Sequence, residues 1–214
     1  DEIIIILENT PFYSESGGQI GDTGIIKNDD FSARVNDTQK NGDYILHICT
    51  LTNGAIGENL TVECMIDVDR RNNIKVNHTA THLLHQSLKD VLGGHVNQAG
   101  SLVHPEYLRF DITHPNKISL KQLEDIELIV NNKISEDITV ETSIKSLEEA
   151  KKEGATALFG EKYGDQVRVV TMGEYSKELC GGTHVSSTGK IKKFKIKHDK
   201  AISSGIRRIN AITH

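Results

Sequence analysis

The chain has 214 residues, 36% of them hydrophobic and 26% charged, with only three prolines. That composition suits one large globular domain or two small ones with a real core, and it excludes long disordered tracts. A formal net charge of -5 argues, taken as a whole, against nucleic-acid binding, and no apolar run approaches the ~20 residues of a membrane span.

Residues 1–68 read as β. Short runs at 3–7, 24–27, 31–35, 44–49 and 60–68 are separated by turn signals at Ser16-Gly17-Gly18, Asn28-Asp29-Asp30, Asn41-Gly42 and Asn53-Gly54. Short strands joined by tight turns predict a small β-barrel. Near Asp69 the apolar period becomes helical, and residues 70–92 carry Ala80, Leu84, Leu88 and Val91 on one face before Gly93-Gly94. A second helix is predicted to start at Ser119, with Gln122 completing a capping box and Leu123, Ile126, Ile129 and Val130 following. A third starts at Ser146, with Glu149 three residues on, and stops at Gly154. Strands are predicted at 102–112, 140–143, 166–171, 190–197 and 207–212. Helices and strands do not alternate strictly, so the class is α+β: a barrel-like part over 1–68 and a second domain over 69–214.

Charge is uneven along the chain. Eight basic residues against Asp199 lie between Lys190 and Arg208, whereas nine acids against five bases lie between Leu120 and Glu153. The basic run is either a face for phosphates or a solvated, lysine-rich strand. Three cysteines are too few, and too odd in number, for a disulfide framework. Cys49 and Cys64 read as small buried apolar residues, which fits a reducing, cytoplasmic setting. The start, Asp1-Glu2, lacks a secretory signal's basic patch. It also lacks Met, which suggests an excised fragment, although trimming or processing would give the same start.

Two pairs carry chemistry. His78 and His82 stand four apart on the first predicted helix, one turn above each other, as one helix offers two imidazoles to a cation. A zinc protease would need Glu after the first of them, and Thr79 stands there. His85 is either a bystander or a supporting partner. Cys180 and His184 repeat the spacing of four across Gly181-Gly182, which lets the backbone turn tightly. One thiolate and three imidazoles suit tetrahedral Zn2+. Four protein ligands are usual in a closed structural site, whereas catalytic zinc keeps a position open, and the residue types leave both possible. The glycine-rich stretch Gly17–Gly24 matches no phosphate-loop or dinucleotide pattern and reads as tight turns.

Several segments together resemble the alanyl-tRNA synthetase family and its free-standing editing relatives. They are TPFYSESGGQIGDTG (10–24), NHTATHLLH (77–85), VNQAGSLV (96–103), ELCGGTHV (178–185) and SGIRRI (204–209), with ATALFGEKY (155–163) closer to the synthetase form. The resemblance implies an editing domain in which His78, His82, Cys180 and His184 bind Zn2+, Gln98 lines the substrate pocket and Arg207 lies close by. Thr81 and Ser101 are further hydroxyls able to face the aminoacyl group, Thr81 having a polar core role as its alternative. The implied activity is hydrolysis of tRNA(Ala) wrongly carrying serine or glycine, alongside parent synthetase domains that attach alanine using ATP and have no counterpart here. Lys192, Lys193, Lys195 and Lys197 are expected along the acceptor stem, with Lys193, Lys195 and Lys197 sharing a strand face. The rival readings are a free-standing trans-editing deacylase and a non-catalytic, zinc-stapled tRNA-binding module.

Overall fold

A computed structural model describes residues 2–157 and 163–213, so 158–162 of the synthetase-like segment lie outside the described residues. The chain divides into two compact units, residues 1–72 and 73–214.

The first unit holds strands β1 (Glu2–Ile6), β2 (Gly24–Lys27), β3 (Phe31–Asn41), β4 (Tyr44–Gly54) and β5 (Glu63–Ile66). They form one antiparallel sheet in the order β1-β4-β3-β2-β5. Alternation puts Ile5, Ile26, Phe31, Ala33, Val35 and Cys49 on the buried face, with Phe12 packed among them. Cys64 is half-buried. The predicted barrel does not close: among the described residues no ladder joins β1 to β5. Closure requires backbone hydrogen bonds between first and last strands at a matched stagger. Here β5 has only four residues, and a cavity of about 630 Å³ lined by β1, Phe31 and residues 56–62 lies on that side.

Local chemistry sets the turns. Asn28 Oδ1 accepts the amides of Asp30 and Phe31, both at 3.0 Å, and starts β3. The segment 10–24 is anchored through buried Asp22, whose carboxylate takes the Tyr13 amide at 2.7 Å and the Arg71 guanidinium at 2.9 Å. Gly21 is required there, because a Cβ would lie 2.2 Å from the Thr38 carbonyl oxygen. Helix α1 (Val68–Leu92) begins with Asp67 Oδ1 accepting the Arg70 amide.

The second unit carries the rest of α1, then β6 (Gln98–Val103), β7 (Leu108–Thr113), α2 (Leu120–Ser135), β8 (Val140–Ser146), α3 (Leu147–Lys152), β9 (Gln166–Met172), β10 (Ser176–Leu179), β11 (Lys195–Ser203) and β12 (Ile206–Ile212). Two antiparallel sheets, β11-β12-β7-β6 and β10-β9-β8, result. Ala80, Leu84 and Leu88 of α1 pack with Phe110, Ile112, Ile126, Val130, Met172, Phe194 and Ile209 in one core. Both predicted capping boxes form, Ser119 with Gln122 and Ser146 with Glu149.

Three expectations are corrected. Residues 102–112 are two strands and not one, because the chain reverses after Val103, where the His104 amide reaches the Tyr107 carbonyl at 3.0 Å. Residues 190–197 are not one strand: a 3-10 turn spans Thr188–Ile191, Lys192 takes a left-handed φ of 67°, and β11 starts at Lys195. Strand β10 was not expected at all. No helix of the described residues is long and apolar enough to cross a membrane.

Candidate metal centre

Helix α1 and the loop after β10 supply the four expected donors. His78 and His82 rise from one face of α1, and Cys180 and His184 come from the loop. One donor atom from each lies within 4.8 Å of all the others, so the group can hold one metal ion. Tetrahedral zinc, with Zn–S of about 2.3 Å and Zn–N of about 2.0–2.1 Å, sets sulfur–nitrogen separations of about 3.5 Å. Cys180 Sγ stands 3.4 Å from Nε2 of both His78 and His184. The donor set and its spacing fit zinc. The two helical ligands are buried, and Cys180 and His184 are of intermediate burial.

The loop is held by groups that sequence reasoning did not single out. Arg168 donates from Nη1 to the carbonyls of Cys180 (2.9 Å) and Gly182 (2.5 Å). The Gly182 amide points at Cys180 Sγ, 3.4 Å away. Thr79 Oγ1 donates to the Lys75 carbonyl at 2.9 Å, and its lone pairs therefore face His184 Nδ1 at 3.1 Å and the Val185 amide at 3.3 Å. His184 then carries its hydrogen on Nδ1 and presents a bare Nε2 to the sulfur.

Glu178 does related work on the helix side. Its carboxylate is buried; Oε1 lies 2.9 Å from His85 Nδ1 and Oε2 lies 3.0 Å from His82 Nδ1. The His85 contact is a well-aligned hydrogen bond, whereas the His82 contact is close but off the N–H axis. The His85 ring also rests against Phe110, with centroids 5.2 Å apart.

Electrostatics favour a thiolate. Burial opposes ionising Cys180, but the neighbouring imidazoles of His78 and His82 outweigh it and hold the thiol well below its ordinary range. Burial, then neighbouring His78, brings His184 down to about 3 and keeps it neutral. Burial also opposes charge on His82, yet Glu178 and Cys180 raise it to about 10. A metal ion binding here would displace that proton. Burial would raise Glu178, but His82 and His85 hold it below the usual carboxylate range.

The remaining expected residues fall elsewhere. Gln98 opens β6 and lies in one cross-strand row with Ile112 and Arg207. Strand alternation gives this row the face of Phe110 and Ile209, which packs on α1. Arg207 is buried and clamped by Asp199 at 2.8 and 2.5 Å, so its charge is already compensated. Ser101, half-buried, pairs with Phe110 across the strands. The Thr81 hydroxyl donates to the Asn77 carbonyl at 2.8 Å. The four lysines are exposed but share no strand face: Lys192 and Lys193 precede β11, Lys195 pairs with Glu127 at 2.9 Å, and Lys197 sits at a β-bulge.

Two family models match the chain. Residues 1–70 match tRNA synthetases class II (A), and 167–210, which include Cys180, His184 and Arg207, match the threonyl and alanyl tRNA synthetase second additional domain. His78 and His82 fall outside both. Among curated relatives, an alanine–tRNA ligase of Haemophilus influenzae is 51% identical over 210 residues, covering 98% of this chain and 24% of the relative. An alanine–tRNA ligase of Thermoanaerobacter sp. is 52% identical over 213 residues, covering 100% of this chain and again 24% of the relative. The chain spans about a quarter of the length of these relatives and resembles them from one end to the other; it belongs to the alanine–tRNA ligase family.

Proposed function

We propose that this chain is a zinc-dependent editing site that hydrolyses the ester of tRNA(Ala) wrongly charged with serine or glycine. The observation that carries the reading is the convergence of His78, His82, Cys180 and His184, with donor spacing suited to zinc, in a member of this ligase family. A pocket selecting alanine discriminates weakly against a missing methylene, by roughly 1–3 kcal/mol, or against an added hydroxyl, so a second sieve is required. Bound zinc supplies Lewis acidity toward the ester carbonyl or water.

The chain's own residues have separable tasks in this reading. Gln98, on the sheet face toward α1, offers an amide to orient ester or water. Arg207, held by Asp199, presents a fixed guanidinium edge instead of a mobile charge. Thr81 has its hydrogen committed to Asn77 and offers only an acceptor lone pair. Lys192, Lys193 and Lys197 are the exposed cations for the acceptor-stem phosphates, and Lys195 joins them on leaving Glu127.

The test is deacylation of Ser-tRNA(Ala) by the chain, by its Cys180→Ala variant and in the presence of a chelator. Turnover lost in both arms, with the fold retained, is the expected result. Turnover unchanged after zinc is lost removes the metal from the chemistry. Charged tRNA that binds and stays intact in every arm makes the chain a non-catalytic binding module.

A further inference from the structure

We infer that Glu178 is a positioning residue for the metal centre: braced by His85, its carboxylate holds His82 in the tautomer that leaves Nε2 free for the ion. The inference rests on the proposal that the His78–His82–Cys180–His184 group binds a metal.

Glu178 lies on β10, two residues before Cys180 opens the ligand loop. His82 and His85 are three apart on α1 and face that carboxylate together. An ionised carboxylate only accepts, so each Nδ1 facing it carries a hydrogen. A neutral imidazole has one N–H, and His82 therefore offers its lone pair from Nε2, the nitrogen turned away from Glu178. A proton on Nε2 instead would set two lone-pair groups 3.0 Å apart in a buried site.

His85 explains why the carboxylate keeps this orientation. It takes Oε1 in an aligned bond, which leaves Oε2 for His82. The Nε2 of His85 is buried and has no hydrogen-bond partner, and its ring lies on Phe110. His184 is fixed in the same sense by Thr79, so His82 and His184 both have their ligating nitrogen chosen by a neighbour outside the donor group. Partners of this kind orient metal-bound imidazoles and raise affinity.

Glu178→Gln separates shape from acceptance. The amide keeps one accepting oxygen and introduces a donating NH2, so one imidazole must move its hydrogen to Nε2. If that is His82, the ligand nitrogen is blocked; if it is His85, a buried N–H is stranded. The experiment titrates Zn2+ against a chromophoric chelator with the wild-type chain, Glu178→Gln and Cys180→Ala, while circular dichroism monitors the fold. A wild-type chain that binds no zinc defeats the metal reading itself. With wild-type binding intact and lost in Cys180→Ala, a roughly 10–100-fold weaker Kd in folded Glu178→Gln supports the inference; a Kd within twofold of wild type overturns it. Should Glu178→Gln not fold, nitrogen-detected NMR of the zinc-loaded wild type decides directly. His82 protonated at Nδ1 supports the assignment, and His82 protonated at Nε2 overturns it.

Discussion

Replacing Thr79 with Val removes one oxygen from the interior of the second unit and almost no volume. The residue is fully buried. Its hydroxyl donates to the Lys75 carbonyl and receives His184 Nδ1–H and the Val185 amide. The Lys75 carbonyl is the smaller loss, because it lies inside α1 and keeps its helical partner. The Val185 amide, in a buried residue, is left without an acceptor, which costs about 1–3 kcal/mol. We take about 2 kcal/mol for the sum, which at roughly 2–4 °C per kcal/mol lowers the Tm of a chain this size by about 4–8 °C. The second effect is on the ion: with Nδ1 released the ring no longer aims Nε2, and zinc affinity falls by roughly 10–100-fold. Calorimetry in chelator measures the first effect, and zinc competition on the same samples measures the second. In saturating zinc the wild type gains extra stability by mass action, and a hundredfold weaker site forfeits about 2.7 kcal/mol of it. A Val variant whose chelated Tm and zinc Kd both match wild type would show that Thr79 does not hold His184.

Two further outcomes test one buried polar group in each unit. Asn77 is fully buried; its amide donates to the carbonyls of His104 (2.6 Å) and Pro105 (3.2 Å), and its oxygen accepts from Thr213 (2.6 Å). Asn77→Ala strands all three groups and is expected to cost about 2–3 kcal/mol, read as a lower urea midpoint at unchanged slope. In the first unit, His47 donates from Nδ1 to the Ile5 carbonyl, accepts from Thr10, and is buried, which lowers its pKa from the ordinary 6.5 against the raising effect of Ile5. The unfolded chain therefore binds a proton near pH 6.5 that the folded chain refuses, so stability falls as pH drops below that value and levels off below the folded pKa. Urea unfolding at pH 7.5 and 5.5 should show a smaller loss for His47→Gln than for wild type, and equal losses would refute the assignment.

What the sequence made legible is what local spacing encodes. A four-residue interval put His78 above His82, and Ser-x-x-Gln and Ser-x-x-Glu marked the starts of α2 and α3, because each signal acts within one helical turn. Barrel closure was misjudged because it depends on pairing between strands some sixty residues apart, about which turn residues say nothing. The lysine run was misread for a nearer reason. Its apolar members Ile191, Phe194 and Ile196 are spaced three and then two apart, the first interval crossing the left-handed turn at Lys192 that follows the 3-10 segment and the second entering the strand. Reading one period through both placed the lysines on a common face that does not exist. The site divides along the same line. Donor identity is a property of residue type and was readable, whereas Glu178, Thr79 and Arg168 act on partners chosen by the fold. Glu178 is 93 residues from His85, and Thr79 is 105 from His184. In isolation a Glu before Cys, or a Thr after His, has no chemical signature. Yet Glu178 and Thr79 decide which nitrogen of His82 and of His184 is bare, and a histidine whose hydrogen points at the ion is no ligand at all. The affinity of the centre is therefore set in large part by residues that a search for metal-binding residue types would pass over.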